Sequence, residues 1–114
     1  MRSQYPATTG LSLPAYTSPV AGTVWGVFPH MHTTGQHLGL TLTHAGTTSC
    51  ALDVRRWNFN WQQAYFYTTP VAVAATDRIT ITCEYDTMSR DTTTVYGEGT
   101  QNEMCLSFFY VTVP

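Results

Sequence analysis

The stretch Arg78–Tyr85 reads RITITCEY. Ile79, Ile81 and Cys83 alternate with Thr80, Thr82 and Glu84, so in an extended chain the apolar side chains leave from one face and the polar ones from the other. That is the pattern of a strand with one side on a core and the other toward water. Leu38–His44, LGLTLTH, repeats it, with Gly35 before it and Ala45-Gly46 after it as turns. Further strands are expected at about Val24–Phe28, Ser49–Arg56, Ala64–Tyr67, Val71–Ala74, Thr92–Tyr96 and Cys105–Val113. The runs are short and bounded by Gly, Pro, Asp and Asn, and no useful window carries a 3.6-residue apolar period. The expected fold is all-β, an antiparallel β-sandwich or jelly roll.

The chain has 114 residues, enough for one domain with a real core. It carries five arginines, no lysine and seven carboxylates, for a formal charge of −2. No basic patch could track a phosphate backbone, so no nucleic-acid partner is expected. No apolar run approaches the roughly 20 residues that span a bilayer, and the N-terminus lacks a signal peptide's basic-then-apolar order. A soluble chain with no membrane partner is expected. Residues 1–23 hold three prolines and little alternation, which predicts an extended arm or domain edge ahead of a sandwich domain over 24–114.

The chemistry points to Val24–His37, VWGVFPHMHTTGQH. On an extended strand His30 and His32 leave from one face while Met31 leaves from the other, so two imidazoles can converge on one ion. Surface or hydrogen-bonded histidines are the alternative. His37 could extend such a site or support it, whereas His44, at the far end of its strand, reads as a hydrogen-bonded surface residue. In DVRRWNFNWQQAYFY (53–67), Trp57, Phe59 and Trp61 alternate with asparagines. They could stack on a sugar or base, but core filling between sheets is the stronger reading, with period-2 placement aiming the rings inward.

Three cysteines leave one odd. Cys83 lies within a strand and Cys105 begins another, which allows a disulfide between adjacent strands and leaves Cys50 as a buried thiol or one with a partner elsewhere. Three reduced, buried cysteines are the alternative. A disulfide would imply an oxidising compartment, secreted or periplasmic.

Taken together, PHMHTTG (29–35), DVRRWNFNWQQAYFY (53–67), DRITITCEYDTMSRD (77–91) and YGEGTQNEMC (96–105) resemble the second, catalytic domain of the copper type II, ascorbate-dependent monooxygenases. That family includes peptidylglycine α-hydroxylating monooxygenase, dopamine β-hydroxylase and many bacterial relatives, the type expected here. The resemblance covers about residues 24–114. It implies one copper ion, cycling between Cu(I) and Cu(II), on His30, His32 and Met104, and a disulfide between Cys83 and Cys105. It also implies hydroxylation of a C–H bond by O2 with ascorbate as reductant. Two imidazoles and a thioether make a soft, open donor set that suits Cu(I) and binds zinc poorly.

The chain departs from the family pattern in two respects. There is no room for the preceding three-histidine copper domain that supplies an electron, so a missing electron-transfer domain is an expected partner. Where peptidylglycine hydroxylation uses an arginine before the histidine pair and a tyrosine after the methionine to hold a substrate carboxylate, this chain has Phe28 and Phe108. These are the candidate substrate-binding residues, and they imply a more apolar small-molecule or peptide substrate. The competing functions are a copper-binding domain with little activity alone, and a jelly-roll carbohydrate- or protein-binding module using the 57–67 aromatics.

Overall fold

The computed structural model describes residues 9–12, 16–91 and 93–114. Eight strands follow in order: β1 (Thr9–Ser12), β2 (Tyr16–Thr17), β3 (Gly22–His30), β4 (Gly35–His44), β5 (Thr47–Val54), β6 (Tyr65–Val73), β7 (Arg78–Tyr85) and β8 (Leu106–Thr112), with one 3-10 turn at Phe59–Trp61. All strand pairings are antiparallel. They form two sheets, one ordered β1-β7-β4-β5 with β2 also on β7, the other ordered β6-β3-β8. This is the all-β sandwich read from the alternation. Among the described residues no helix is long and apolar enough to cross a membrane.

Leu38, Leu40 and Leu42 of β4 and Cys83 and Tyr85 of β7 face Val24, Val27 and Val73 of the other sheet, all buried, with Met31 and Cys105 closing one end. Burying a side chain of this size stabilises by about 1.5–3 kcal/mol relative to leaving it in water. The β4–β5 turn carries Ala45 at φ 49° and Gly46 at φ 80°. Positive φ at both central residues matches the right-handed twist of a two-residue hairpin, and only the glycine adopts it without cost.

Several expectations need correction. Ala64–Tyr67 and Val71–Ala74 are one strand, β6, running through Pro70. Among the described residues it pairs with β3 alone, so a proline that cannot donate is tolerated at this edge. The register slips between Val24 and Gly26 and absorbs the residues between the two expected pieces. Thr93–Tyr96 is not a strand: Tyr96 makes only an isolated bridge to Glu103, and Thr92 lies outside the described residues. Of the N-terminal segment expected as an extended arm or domain edge, β1 and β2 pair along β7 at the edge of that sheet and β3 begins at Gly22, while residues 1–8 and 13–15 lie outside the described residues.

The aromatic stretch divides. Trp57, Tyr65 and Tyr67 pack on the core as expected, but Trp61 is 78% exposed and Phe66 64%. Phe59–Trp61 forms a 3-10 turn capped by the Asn58 side chain, so the period-2 rule does not govern those rings. Cys83 and Cys105 are bonded, with Cα atoms 6.0 Å apart. Because β7 and β8 lie in different sheets, the bond staples the sandwich across its core rather than joining adjacent strands. Cys50 is a free thiol and is exposed, not buried.

Candidate metal centre

β3 ends at His30, and the chain continues through Met31 to His32. Met31 is fully buried and points into the core, which turns the flanking histidines the other way. Gly35 permits this packing, since a Cβ there would stand 2.9 Å from both Met31 and the Trp57 ring. The His30 and His32 rings meet edge to face with centroids 4.9 Å apart. The extended-strand argument therefore puts the two imidazoles side by side, even though His32 lies beyond the strand.

Each ring is held through Nδ1. His32 Nδ1 lies 2.9 Å from the Asn102 carbonyl oxygen, which can only accept, so this nitrogen carries the proton. His30 Nδ1 lies 2.6 Å from Gln62 Oε1. The Gln62 amide is oriented by its own donation to the Phe59 carbonyl, so here too Nδ1 donates. In the neutral form of each ring the lone pair is then on Nε2, and among the described residues no hydrogen bond engages that atom in either ring. His32 is only 4% exposed, yet among the described residues no buried side-chain nitrogen or oxygen lacks a partner, so its unbonded Nε2 reaches the surface. This is how imidazole ligands are prepared for a metal: the far nitrogen fixes tautomer and ring plane. Phe59 closes one side, edge-on to His32 at 6.0 Å.

Met104 is half-buried on the segment that supplies the Asn102 carbonyl. The Tyr85 hydroxyl donates to the Met104 carbonyl at 2.8 Å, and Cys105 anchors the next residue to β7. Between them, Glu103 is fully buried and reaches across to the His32–Thr34 segment. Among the described residues no group of three His, Cys, Asp or Glu side chains is arranged to hold a metal, so His30 and His32 gain no third ligand of those types. Two imidazoles together with a thioether would suit a soft ion such as Cu(I) better than zinc or a hard cation.

His37 does not join this site. It stands on the outer face of the other sheet, clamped between Glu84 of β7 and Asp53 of β5, with both ring nitrogens occupied. The bonds to Glu84 and Asp53 hold its pKa above the ordinary range, against a smaller opposing effect of burial. His44 is the surface residue expected, bonded to Asp77 at 2.6 Å. Asp77 itself is held below the usual carboxylate range, chiefly by the Ala74 N–H and then by His44.

Phe28 and Phe108 are directly opposed in the β3–β8 register, and Phe28 shares its face with His30. Phe108 is 64% exposed. Further along the same face Phe66 and Tyr110 flank Gly26 from either side, their centroids 5.2 Å apart. A Cβ on Gly26 would meet the Phe66 ring at 2.6 Å. An aromatic surface thus leads from the middle of the sheet to the histidines.

Gln62, Asn102 and Trp57, whose Nε1 donates to the His32 carbonyl at 3.1 Å, were not legible as site residues. Glu103 was visible as part of the Glu-Met-Cys motif, but its role was not. The available signal was a carboxylate directly before the apolar run Met104-Cys105-Leu106 in a chain with few charges.

Residues 12–112 match the family described as copper type II ascorbate-dependent monooxygenase, C-terminal domain. Over 82 residues the chain is 34% identical to DBH-like monooxygenase protein 2 of Mus musculus, covering 71% of this chain and 13% of that protein. Over 90 residues it is 32% identical to putative DBH-like monooxygenase protein 2 of Homo sapiens, covering 76% of this chain and 18% of that protein. The chain therefore spans less than a fifth of either relative's length.

Proposed function

Because the chain belongs to the copper type II ascorbate-dependent monooxygenases, as their C-terminal domain, we propose that it holds one copper ion on His30, His32 and Met104 and hydroxylates an apolar substrate. The observation that carries this reading is the pair of imidazoles with both Nδ1 atoms engaged and both Nε2 atoms free. When bound, copper supplies the one-electron chemistry by which one oxygen atom of O2 enters a C–H bond and the other is reduced to water, with ascorbate giving the electrons and protons. Phe28 and Phe108 form an apolar wall beside His30 that would bind the substrate and exclude water from the reacting bond. Neither side chain offers a charge or a hydroxyl to a carboxylate. An oxidising location, secreted or periplasmic, is supported by the Cys83–Cys105 bond. A preceding domain with a second copper would deliver an electron, and without one turnover would be slow. A binding module built on the 57–67 aromatics is less well supported, since Trp57, Tyr65 and Tyr67 pack against the core.

Copper titration followed by EPR and X-ray absorption tests the proposal. One ion per chain with nitrogen ligation is expected for Cu(II), and a sulfur scatterer for Cu(I) that is lost in Met104→Ala. His30→Ala and His32→Ala should each weaken both oxidation states. Unchanged copper binding in both histidine variants, or a sulfur shell that survives Met104→Ala, would overturn it.

A further inference from the structure

Glu103 has a fully buried carboxylate to which, among the described residues, no cation is bonded, and four donors converge on its two oxygens. Oε1 accepts the backbone N–H of His32 at 2.9 Å and that of Met104 at 3.3 Å. Oε2 accepts the Thr34 N–H at 2.8 Å and the Thr34 hydroxyl at 2.6 Å. Burying a charge is costly unless hydrogen bonds replace its hydration, and bonds to a charged acceptor are among the stronger ones in proteins. Those bonds do not lie within one element. They join the segment carrying His32 to the segment carrying Met104, with His32 and Glu103 themselves 71 residues apart in sequence.

The backbone of Glu103 is itself fixed. Its N–H donates to the Val95 carbonyl at 2.9 Å and its carbonyl accepts from Gly97 N–H at 3.1 Å. The carboxylate is thus a rigid post rather than a side chain that follows its neighbours. Thr34 is tied in turn by its carbonyl, which accepts from the Asp86 N–H at 2.9 Å. Met104 is the weakest donor of the candidate set, so its contribution depends on being held in place rather than on finding the ion by itself.

We infer that Glu103 is the positioning residue of the copper centre: its carboxylate sets the separation between the His32 and Met104 backbones, so that the thioether and the imidazoles address the same ion. The inference rests on the copper assignment above. It predicts a selective fault: the imidazoles keep their own Nδ1 anchors, so loss of the Glu103 bonds should affect the sulfur before the nitrogens.

The test compares wild type, Met104→Ala, Glu103→Gln and Thr34→Val by copper affinity in each oxidation state and by Cu(I) X-ray absorption, with circular dichroism as the folding control. Glu103→Gln keeps the volume but replaces one acceptor by an amide that cannot accept the N–H groups facing it. Expected are a folded protein, Cu(I) affinity lower by about tenfold, a weakened or absent sulfur shell, and Cu(II) affinity much less affected. Thr34→Val removes one donor from the same carboxylate and should shift Cu(I) affinity in the same direction by a smaller factor. A wild type lacking a sulfur shell, or a shell that survives Met104→Ala, refutes the copper assignment itself. A shell lost in Met104→Ala but intact in Glu103→Gln, with Cu(I) affinity unchanged and only thermal stability reduced, leaves that assignment standing and overturns the role of Glu103. Should Glu103→Gln fail to fold, an intact shell and unchanged Cu(I) affinity in Thr34→Val overturn it equally.

Discussion

Gln62 accepts a hydrogen bond from the His30 ring at 2.6 Å, and donates one of its own to the Phe59 carbonyl at 2.9 Å. The 3-10 turn at Phe59–Trp61 therefore has a purpose beyond reversing the chain: it delivers an oriented amide oxygen to an imidazole 32 residues earlier. Replacing Gln62 by Leu should leave the sandwich intact and lower Cu(II) affinity by about tenfold, since the ring would lose the group that fixes its tautomer. Gln62→Glu, which still accepts, should retain most of the affinity. Equal affinities for wild type and Gln62→Leu would show that the bond does not prepare the ligand.

On the proposed reading the opposed pair Phe28 and Phe108 would serve the substrate and not the metal. Phe108 is largely exposed, so Phe108→Ala should change thermal stability by less than about 1 kcal/mol. Copper affinity should be unaltered. Ascorbate-driven oxygenation of an apolar substrate should fall by roughly tenfold, the equivalent of about 1.5 kcal/mol of lost apolar contact. Activity unchanged in Phe28→Ala and Phe108→Ala alike would place the substrate elsewhere.

His37 predicts a pH dependence unconnected with the metal. Both of its ring nitrogens meet carboxylates, an arrangement that only the imidazolium can satisfy with two donors. Its folded pKa is raised, so its contribution is complete below its ordinary value of about 6.5 and is lost as pH rises through the folded value. Asp53 is held below its ordinary range, first by His37 and then by Arg55, so its contribution is lost only as pH falls through that lowered value. The clamp across β5, β4 and β7 should thus work best between about pH 4 and 6.5. Thermal melts of wild type and His37→Gln at pH 5.5 and 8.5 check this. The gap between the two proteins should be wider at the lower pH; a gap that does not change would mean the clamp owes nothing to charge.

The Cys83–Cys105 bond staples the two sheets and, on the proposed reading, would also steady the copper site. Its 22-residue separation corresponds to about 3 kcal/mol of restricted unfolded-chain entropy. The Cys83→Ala, Cys105→Ala double variant should show that loss in denaturant unfolding. It should also weaken Cu(I) more than Cu(II), because the bond anchors the residue after Met104. A loss of stability with no change in the ratio of the two affinities would limit the disulfide to holding the sheets together.

Local pattern was enough to read the two central strands β4 and β7, though not the short β1 and β2, and it wrongly made a strand of Thr93–Tyr96. RITITCEY and LGLTLTH alternate with a period of two, and since that period is a property of the extended backbone, strand identity and buried face followed without knowledge of any partner. The same logic paired His30 with His32 and turned Met31 away from them. It failed where the backbone left the extended state, at Phe59–Trp61, and where a proline and a register slip disguised one strand as two, in β6.

What the tertiary structure alone decided is who meets whom across the chain. Alternation gives a face but no address, so nothing local says that β7 and β8 lie in different sheets and that Cys83 and Cys105 therefore bridge the core. Nor could spacing distinguish His37, with both nitrogens taken by carboxylates, from His30 and His32, each left with one free. Whether an imidazole can bind a metal depends on what occupies its other nitrogen, and for His30 and His32 those partners, Gln62 and Asn102, come from 32 and 70 residues away. The residue types that could ligate were written in the sequence; their lone pairs were made available by contacts that exist only once the two sheets have closed.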